Sequence, residues 1–189
     1  EKTEIADKFI QHAKNTNLTM DIQTSEESRL YGEDWNKFLG NCKCMLGVES
    51  GTSIFDKDGS IKDKMNSFLD KHPKASDEEL HKQILNDYEN KIYYRAISPR
   101  IFEAAIFRNL MILFEGKYQS VIEPDKHYIE LKKDFSNIEE VIKKAQDPQL
   151  YEKITQRTYN DLILSEKYSY RLFIEDFCNK VGIKSVDKG

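Results

Sequence analysis

The sequence has few cysteines, no long hydrophobic run and almost no excess of charge, and each shortage excludes a class of protein. Its three cysteines, Cys42, Cys44 and Cys178, are too few and too irregularly spaced for a disulfide framework or a four-ligand zinc site. We expect them to be reduced and buried. No apolar run approaches the ~20 residues that span a membrane, and the opening residues EKTEIADKFI contain no apolar stretch like that of a signal peptide. We therefore expect a cytoplasmic protein; whether the full-length protein also lies at a membrane surface stays open.

The formal net charge of -4 provides no basic field of the kind that holds nucleic acid or an anionic membrane. What is present, 39% hydrophobic and 33% charged residues over 189 positions, is the composition of an ordinary globular protein with one sizeable core. None of the four histidines stands at ligand spacing from another histidine or a cysteine. We therefore expect a single domain, residues 1–189, with no metal site.

Segments with helical and strand-like hydrophobic spacing alternate along the chain. In chain order they are helix 5–13, strand 18–24, helix 33–41, strand 42–51, helix 77–91, helix 100–107, strand 109–114, strand 127–131, helix 138–146, helix 149–164 and a last helix that ends at Gly182. Residues 52–62 carry Asp58-Gly59 between short apolar stretches, which is typical of an inserted β-hairpin. The spacing of this DKDG tetrad does not fit a calcium loop.

Capping signals mark where several of these helices begin. Capping boxes are predicted at Ser76 and Ser136, each with a glutamate three residues later, and Ser98 followed by a proline predicts another helix start. Ser165 is the predicted cap of the last helix. The apolar stripe of that helix consists of Tyr168, Leu172, Phe173, Phe177 and Val181. We expect this stripe to pack against the sheet.

This alternation favours an α/β fold with a doubly wound, mainly parallel sheet, helices on both of its faces, and an inserted hairpin and helix. Such sheets bind ligands at the carboxyl ends of their strands, often with a phosphate at a helix amino terminus. Two loops are therefore candidates for a binding site: GVESGTS at 47–53 and ISPR at 97–100.

Two stretches of the sequence resemble a known family. SPRIFEAAIFRNLMILFEG, from Ser98 to Gly116, followed by HYIELKKDFSNIEEVIKKAQD, resembles the carboxyl-terminal domain of GT-B glycosyltransferases, in which an R-x-F-E-A helix leads into a strand. LGVESGTSIFDKDGSI, at 46–61, is similar to the equivalent region of glycosyltransferases of polysaccharide biosynthesis. With the last helix, the likeness extends over most of the chain from about residue 43 onward.

The resemblance implies a nucleotide-sugar site around Glu103. Many GT-B enzymes carry two glutamates with seven residues between them, and the second typically accepts hydrogen bonds from the ribose hydroxyls. Glu103 matches the second glutamate, whereas Arg95 stands in place of the first. A carboxylate has the acceptor capacity for a ribose diol, and Arg100 with the helix amides suits a diphosphate. The expected ligand residues are Glu103, Arg100, Ser98, Arg95, Glu49, Ser50, Gly51, Glu115, Gly116 and Tyr118.

The resemblance thus implies an enzyme that transfers a sugar from a nucleotide sugar to a glycan or lipid-linked acceptor, with no required cofactor. Because it covers only the donor-binding half of a GT-B fold, we expect a fragment that lacks the amino-terminal acceptor domain and does not turn over alone. The catalytic residues stay unassigned. Two alternatives remain open: a noncatalytic nucleotide-binding module, and an interaction domain without a ligand. In the plainest interpretation, Glu103 is a helix-surface residue paired with Arg100 or Arg108.

Overall fold

The computed structural model describes residues 2–89, 91–92 and 94–183 and divides the chain into two compact units. The larger unit comprises residues 1–49 and 97–189, and the smaller unit comprises residues 50–96. The helices are α1 (Lys2–Ala13), α2 (Gly32–Asn41), α3 (Ser60–Lys71), α4 (Asp77–Leu80), α5 (Pro99–Ile106), α6 (Ile138–Gln146), α7 (Pro148–Tyr159) and α8 (Tyr170–Val181). The strands are β1 (Cys44–Gly47), β2 (Ser50–Thr52), β3 (Tyr94–Ala96), β4 (Leu110–Phe114) and β5 (Ile129–Leu131).

A three-stranded parallel sheet forms the centre of the larger unit, with β4 between β1 and β5. Leu110 of β4 is level with Cys44 of β1, and Ile112 is level with Ile129 of β5. The fold is therefore α/β and Rossmann-like in general, as the alternation of helices and strands predicts. Among the described strands the spatial order follows the chain order, so the reversal that defines a doubly wound sheet is not seen and double winding stays a prediction.

Core clusters lie on both faces of the parallel sheet because the side chains of β4 alternate between them. Leu110, Ile112 and Phe114 pack in a cluster with α1, α6 and α7. Met111 and Leu113 pack in a second cluster, with α5 and the π-helical turn that follows α7. Every residue of β4 is buried, which explains its uninterrupted apolar run. Each such side chain contributes roughly 1.5–3 kcal/mol on leaving water.

The smaller unit pairs β2 with β3 in an antiparallel ladder and contains α3 and α4. The predicted capping box at the start of α4 is confirmed. The Ser76 hydroxyl accepts a hydrogen bond from the Glu79 N–H, and the Glu79 carboxylate accepts one from the Ser76 N–H. A π-helical turn (His81–Leu85) continues α4, and Asn90 of the predicted 77–91 helix lies outside the described residues.

Two predicted β elements are wrong. Residues 18–24 form no strand: Leu18, Met20 and Ile22 do pack partly buried against the core, but the segment pairs with no described strand. The inserted hairpin at 52–62 is also absent, because β2 pairs with β3 and Asp58-Gly59 leads into α3. The Asp56 carboxylate accepts hydrogen bonds from the Ile61 and Lys62 N–H groups in the first turn of α3, so the polar tetrad starts a helix instead of closing a hairpin.

Two predicted caps and the packing of the last helix are corrected as well. The Ser136 hydroxyl does not cap α6, which begins after Asn137. Ser169, and not Ser165, caps α8, and Gly182 ends that helix in the left-handed conformation as predicted. The apolar stripe of α8 does not pack on the sheet: none of its described residues is buried, and the Phe173 side chain is 62% exposed. The three cysteines are free, as predicted, but only partly buried.

Candidate functional site

The amino-terminal end of α5 carries three of the expected ligand residues. Ser98 has an extended backbone, and its hydroxyl accepts a hydrogen bond from the Arg100 N–H at 3.4 Å. Pro99 occupies the first helical position, where its missing N–H leaves no intrahelical bond unmade. The apolar side of α5 faces the second core cluster, which leaves Arg100 exposed and Glu103 half-buried at the border. The Ser-Pro signal in the sequence therefore locates this end of the helix correctly.

Glu103 has a partner that sequence reasoning missed. The indole N–H of Trp35, in α2, donates a hydrogen bond to Glu103 Oε2 at 2.9 Å. The Arg100 guanidinium carbon lies 5.3 Å from the centroid of the same indole ring, within range of a cation–π interaction. In the described part of the chain, Glu103 forms no ion pair with Arg100 or Arg108, and its Oε1 accepts no hydrogen bond. The interpretation of Glu103 as half of a surface ion pair is therefore wrong.

The chain after β4 makes a left-handed turn without a glycine inside it. Tyr118, Gln119 and Ser120 have φ angles of 43°, 52° and 57°. This conformation costs roughly 1–2 kcal/mol per residue for L-amino acids, so contacts from elsewhere must hold it. Glu49, two residues after β1, accepts the Tyr118 N–H through Oε1 at 2.8 Å. The fully buried Tyr118 hydroxyl donates to the Phe114 carbonyl at 2.7 Å.

Gly116 lies against the same carboxylate. A Cβ at this position would stand 2.8 Å from Glu49 Oε2 and 3.0 Å from Tyr118 Cε2, which is closer than real Cβ contacts. A side chain would therefore push the Glu49 carboxylate away. The structure thus brings three expected ligand residues together, Glu49, Gly116 and Tyr118, but it packs them against one another and so uses them to shape the turn.

The left-handed turn lies beside the start of α5. The Ile97 N–H, one residue before Ser98, donates a hydrogen bond to Gln119 Oε1 at 3.2 Å. Both the turn and this helix end are therefore at the carboxyl end of β4, the edge where parallel sheets bind ligands. Sequence reasoning missed Gln119, because no local pattern marks a side chain that bridges 22 residues.

Glu115 organises a neighbouring loop. Its Oε1 accepts the Lys133 N–H at 3.0 Å, and its own backbone N–H donates to the Leu131 carbonyl at 2.9 Å. These bonds connect the end of β4 to the chain that follows β5. One carboxylate oxygen of Glu115 is thus committed to the backbone, which favours a structural role for this expected ligand residue.

Ser50, Gly51 and Arg95 belong to the smaller unit. Gly51 and Arg95 are opposite each other in the ladder of β2 and β3, and Ser50 is level with Ala96. Gly51 has φ +144°, and a Cβ there would lie 2.0 Å from the Tyr94 carbonyl oxygen. The close approach of two strands, and not of a ligand, therefore accounts for this glycine.

Tyr128 packs against the tyrosine of the left-handed turn, with 5.4 Å between its ring centroid and that of Tyr118. Its hydroxyl is buried and has no hydrogen-bond partner within the described part of the protein. Burial raises the pKa of this hydroxyl, and the nearby charges of Glu130, Glu49 and Asp125 raise it further. Tyr128 therefore stays neutral at physiological pH beside the turn.

Across the residues that the structure describes, no group of three or more histidine, cysteine, aspartate or glutamate side chains is arranged to hold a metal ion. None of the described helices has the length and apolar character needed to cross a membrane. No family model matches this chain, and no curated protein matches its sequence.

Proposed function

We propose that this chain is the donor-binding domain of a GT-B glycosyltransferase that transfers a sugar from a nucleotide sugar to a glycan or lipid-linked acceptor. The proposal includes the doubly wound sheet of that fold and a cytoplasmic location. The acceptor would bind to a part of the protein beyond these 189 residues, so this chain alone is expected to bind the donor without turnover.

One observation carries the proposal: Glu103 and Arg100 lie one turn apart at the capped start of α5, beside the left-handed turn at the carboxyl end of β4. Glu103 Oε1 accepts no hydrogen bond from the described residues, so it has capacity for a ribose hydroxyl. Arg100 is exposed and can bind a diphosphate oxygen through two parallel N–H groups. The partial positive charge of the helix dipole at the start of α5 adds to the attraction for a diphosphate.

In this role the chain would assist transfer through charge. The leaving diphosphate gains negative charge as the sugar bond breaks, and Arg100 with the amino-terminal dipole of α5 would stabilise it without a required metal. Glu103 would fix the ribose and so hold the diphosphate in one position. The general base and the sugar contacts are not assigned to residues of this chain.

A thermal-shift titration with UDP, GDP, CDP, ADP and dTDP tests the proposal. A ligand that binds only the folded state stabilises it by about 2.7 kcal/mol at roughly a hundredfold excess over Kd. We expect one diphosphate to raise the melting temperature of the wild type, and Glu103→Ala and Arg100→Ala to lose most of that rise.

Matched controls are an exposed glutamate and an exposed arginine of the same unit, Glu139→Ala and Arg29→Ala, which should keep the wild-type response. The proposal fails if no diphosphate at millimolar concentration changes the melting temperature. It also fails if the control variants lose the response as fully as the Glu103 and Arg100 variants do.

A second candidate function, an interaction domain, is favoured by exposed apolar side chains of α8. Phe173, Ile174 and Phe177 are 62%, 53% and 51% exposed, which is unusual for three large apolar side chains within five residues. This candidate predicts no response to any diphosphate. It also predicts that Phe173→Ser with Phe177→Ser abolishes self-association or partner binding in sedimentation experiments, whereas the donor-domain proposal requires neither result.

A further inference from the structure

Trp35 joins the two residues on which the proposed function depends. Its indole N–H donates to Glu103 Oε2 at 2.9 Å, and Arg100 lies over its ring at 5.3 Å from the centroid. The ring itself is partly buried and stacks on Phe38, with 5.8 Å between the centroids. One side chain from α2 therefore contacts both the carboxylate and the guanidinium at the start of α5.

We propose that Trp35 is a positioning residue that holds Glu103 for the ribose of a nucleoside diphosphate. This inference rests on the proposed function. Trp35 occupies Glu103 Oε2 and leaves Oε1 to accept a ribose hydroxyl. It also restricts Arg100 to the same side of the helix, where a cation and an aromatic face attract each other.

Trp35 limits the rotation of the Glu103 side chain. A glutamate side chain loses conformational entropy when it is fixed, and a ligand that fixes it must supply that free energy. The bond from Trp35 fixes the carboxylate before the ligand arrives, and a carboxylate with about four acceptor positions keeps capacity for further donors. Removal of the indole N–H should therefore weaken the hydrogen bond to ribose without removing Glu103.

The chain contains one tryptophan, so its fluorescence reports on this position alone. In the wild type, the diphosphate that gives the largest thermal shift among UDP, GDP, CDP and ADP is titrated while tryptophan emission is recorded. We expect emission to change with the same Kd as the thermal shift. A thermal shift with unchanged emission would place the ligand away from Trp35 and overturn the inference, while the proposed binding function would survive.

The role of the N–H is tested with Trp35→Phe, which keeps an aromatic ring but has no donor. Calorimetry compares the same diphosphate with its 2′,3′-dideoxy counterpart in the wild type, Trp35→Phe and Phe38→Leu. In the wild type and in Phe38→Leu, loss of the two hydroxyls should weaken binding about tenfold. In Trp35→Phe the ratio of the two dissociation constants, dideoxy ligand over parent diphosphate, should shrink to about threefold, because the Glu103 carboxylate is no longer fixed.

A merely structural role for Trp35 would weaken both ligands equally and leave their ratio at the wild-type value, which would overturn the inference. As a second variant, benzothienylalanine can replace the only tryptophan in a tryptophan-requiring host, which exchanges the indole N–H for sulfur at nearly the same ring shape. The benzothienylalanine variant should show the same reduced ratio of dissociation constants as Trp35→Phe. A ratio equal to that of the wild type would overturn the inference. If no diphosphate binds the wild type, the proposed function and this inference both fail.

Discussion

Glu49 and Glu103 are both half-buried, both expected ligand residues and both at the carboxyl edge of the parallel sheet, yet the structure uses them differently. Glu49 accepts the Tyr118 backbone N–H and rests against Gly116. Glu103 accepts one side-chain N–H, from Trp35, and its second oxygen has no donor among the described residues. The first carboxylate shapes the site, and the second has capacity for a ligand.

The hydrogen-bond partners of a carboxylate, and not its place in a loop, therefore indicate its role. A charge-assisted bond to a strained backbone stabilises the folded protein whether or not a ligand is bound. A carboxylate with spare acceptor capacity contributes little to stability and can bind a ligand. Substitutions should therefore separate the two residues by what they change: the free energy of unfolding for Glu49, and diphosphate binding for Glu103.

The largest effect is expected for Glu49→Ala. It leaves the Tyr118 N–H without its acceptor and releases a turn of three positive-φ residues, so the free energy of unfolding should fall by about 2 kcal/mol. For Glu103→Ala, the free energy of unfolding should fall by less than about 1 kcal/mol. Urea denaturation followed by circular dichroism measures both.

Glu49→Gln is the matched control, because its side-chain carbonyl can still accept the Tyr118 N–H. It should lose less than half as much stability as Glu49→Ala. Equal losses for Glu49→Ala and Glu103→Ala would remove the distinction between a shaping and a binding carboxylate.

Gly116→Ala should cost about 1.5 kcal/mol, because its Cβ would displace the Glu49 carboxylate. The decisive measurement is a double-mutant cycle: in a Glu49→Ala background the cost should fall to about half or less, because only the contact with Tyr118 Cε2 remains. Gly40→Ala is the control, because a Cβ there meets only the Phe107 ring at 3.7 Å and the substitution favours helix α2. A cost for Gly116→Ala that is independent of Glu49 would mean that the added Cβ does not displace the Glu49 carboxylate.

Tyr118→Phe should cost about 1 kcal/mol, the typical value of one buried hydrogen bond. The variant keeps the ring in the core and removes the donor to the Phe114 carbonyl. Tyr170→Phe, at a position 89% exposed, is the control and should leave the urea midpoint unchanged. A midpoint for Tyr118→Phe equal to that of the control would mean that this bond does not hold the turn.

Local signals account for the parts of the fold that the sequence predicts correctly. The Ser98-Pro99 start of α5 and the apolar run of β4 depend on residues next to one another in the chain. Residues 18–24 and the stripe of α8 show the limit of such signals. Alternation and helical spacing indicate which side chains share a face. They do not indicate whether a neighbouring strand pairs with the segment or whether a sheet packs against that face.

The candidate site shows the same limit at longer range. The bond between Trp35 and Glu103 spans 68 residues, and the bond between Glu49 and Tyr118 spans 69. Neither spacing corresponds to a turn, a helix face or a ladder, so no pattern in the sequence predicts either contact. The first depends on how α2 packs beside α5, and the second on how the ends of β1 and β4 come together in the sheet.

Asp161 is a third carboxylate that should behave like Glu49 and not like Glu103. Its Oδ2 accepts bonds from Arg157 Nε at 2.7 Å and from the buried ring of His127 at 3.1 Å. Burial raises its pKa, but the hydrogen bonds from Arg157 and His127 outweigh that effect and hold the pKa of Asp161 below its usual value. A lowered pKa stabilises the fold above the unfolded-state value of about 3.9, and this stability is lost as the pH falls through the folded-state pKa.

The smallest effect is therefore expected for Asp161→Asn, a loss of less than about 1 kcal/mol at pH 7, because the side chain is partly exposed and asparagine keeps one acceptor. The difference from the wild type should narrow as the pH falls from the unfolded-state value of about 3.9 through the lowered pKa of the folded state, where the wild-type carboxyl also becomes neutral. Asp176→Asn removes an exposed partner of Lys180 in α8 and should show a smaller difference throughout. Urea denaturation across this pH range measures both variants. If the loss in free energy of unfolding for Asp161→Asn stays constant with pH, the ionised carboxylate does not stabilise the fold. Asp161 would then differ from Glu49, whose carboxylate is expected to stabilise it.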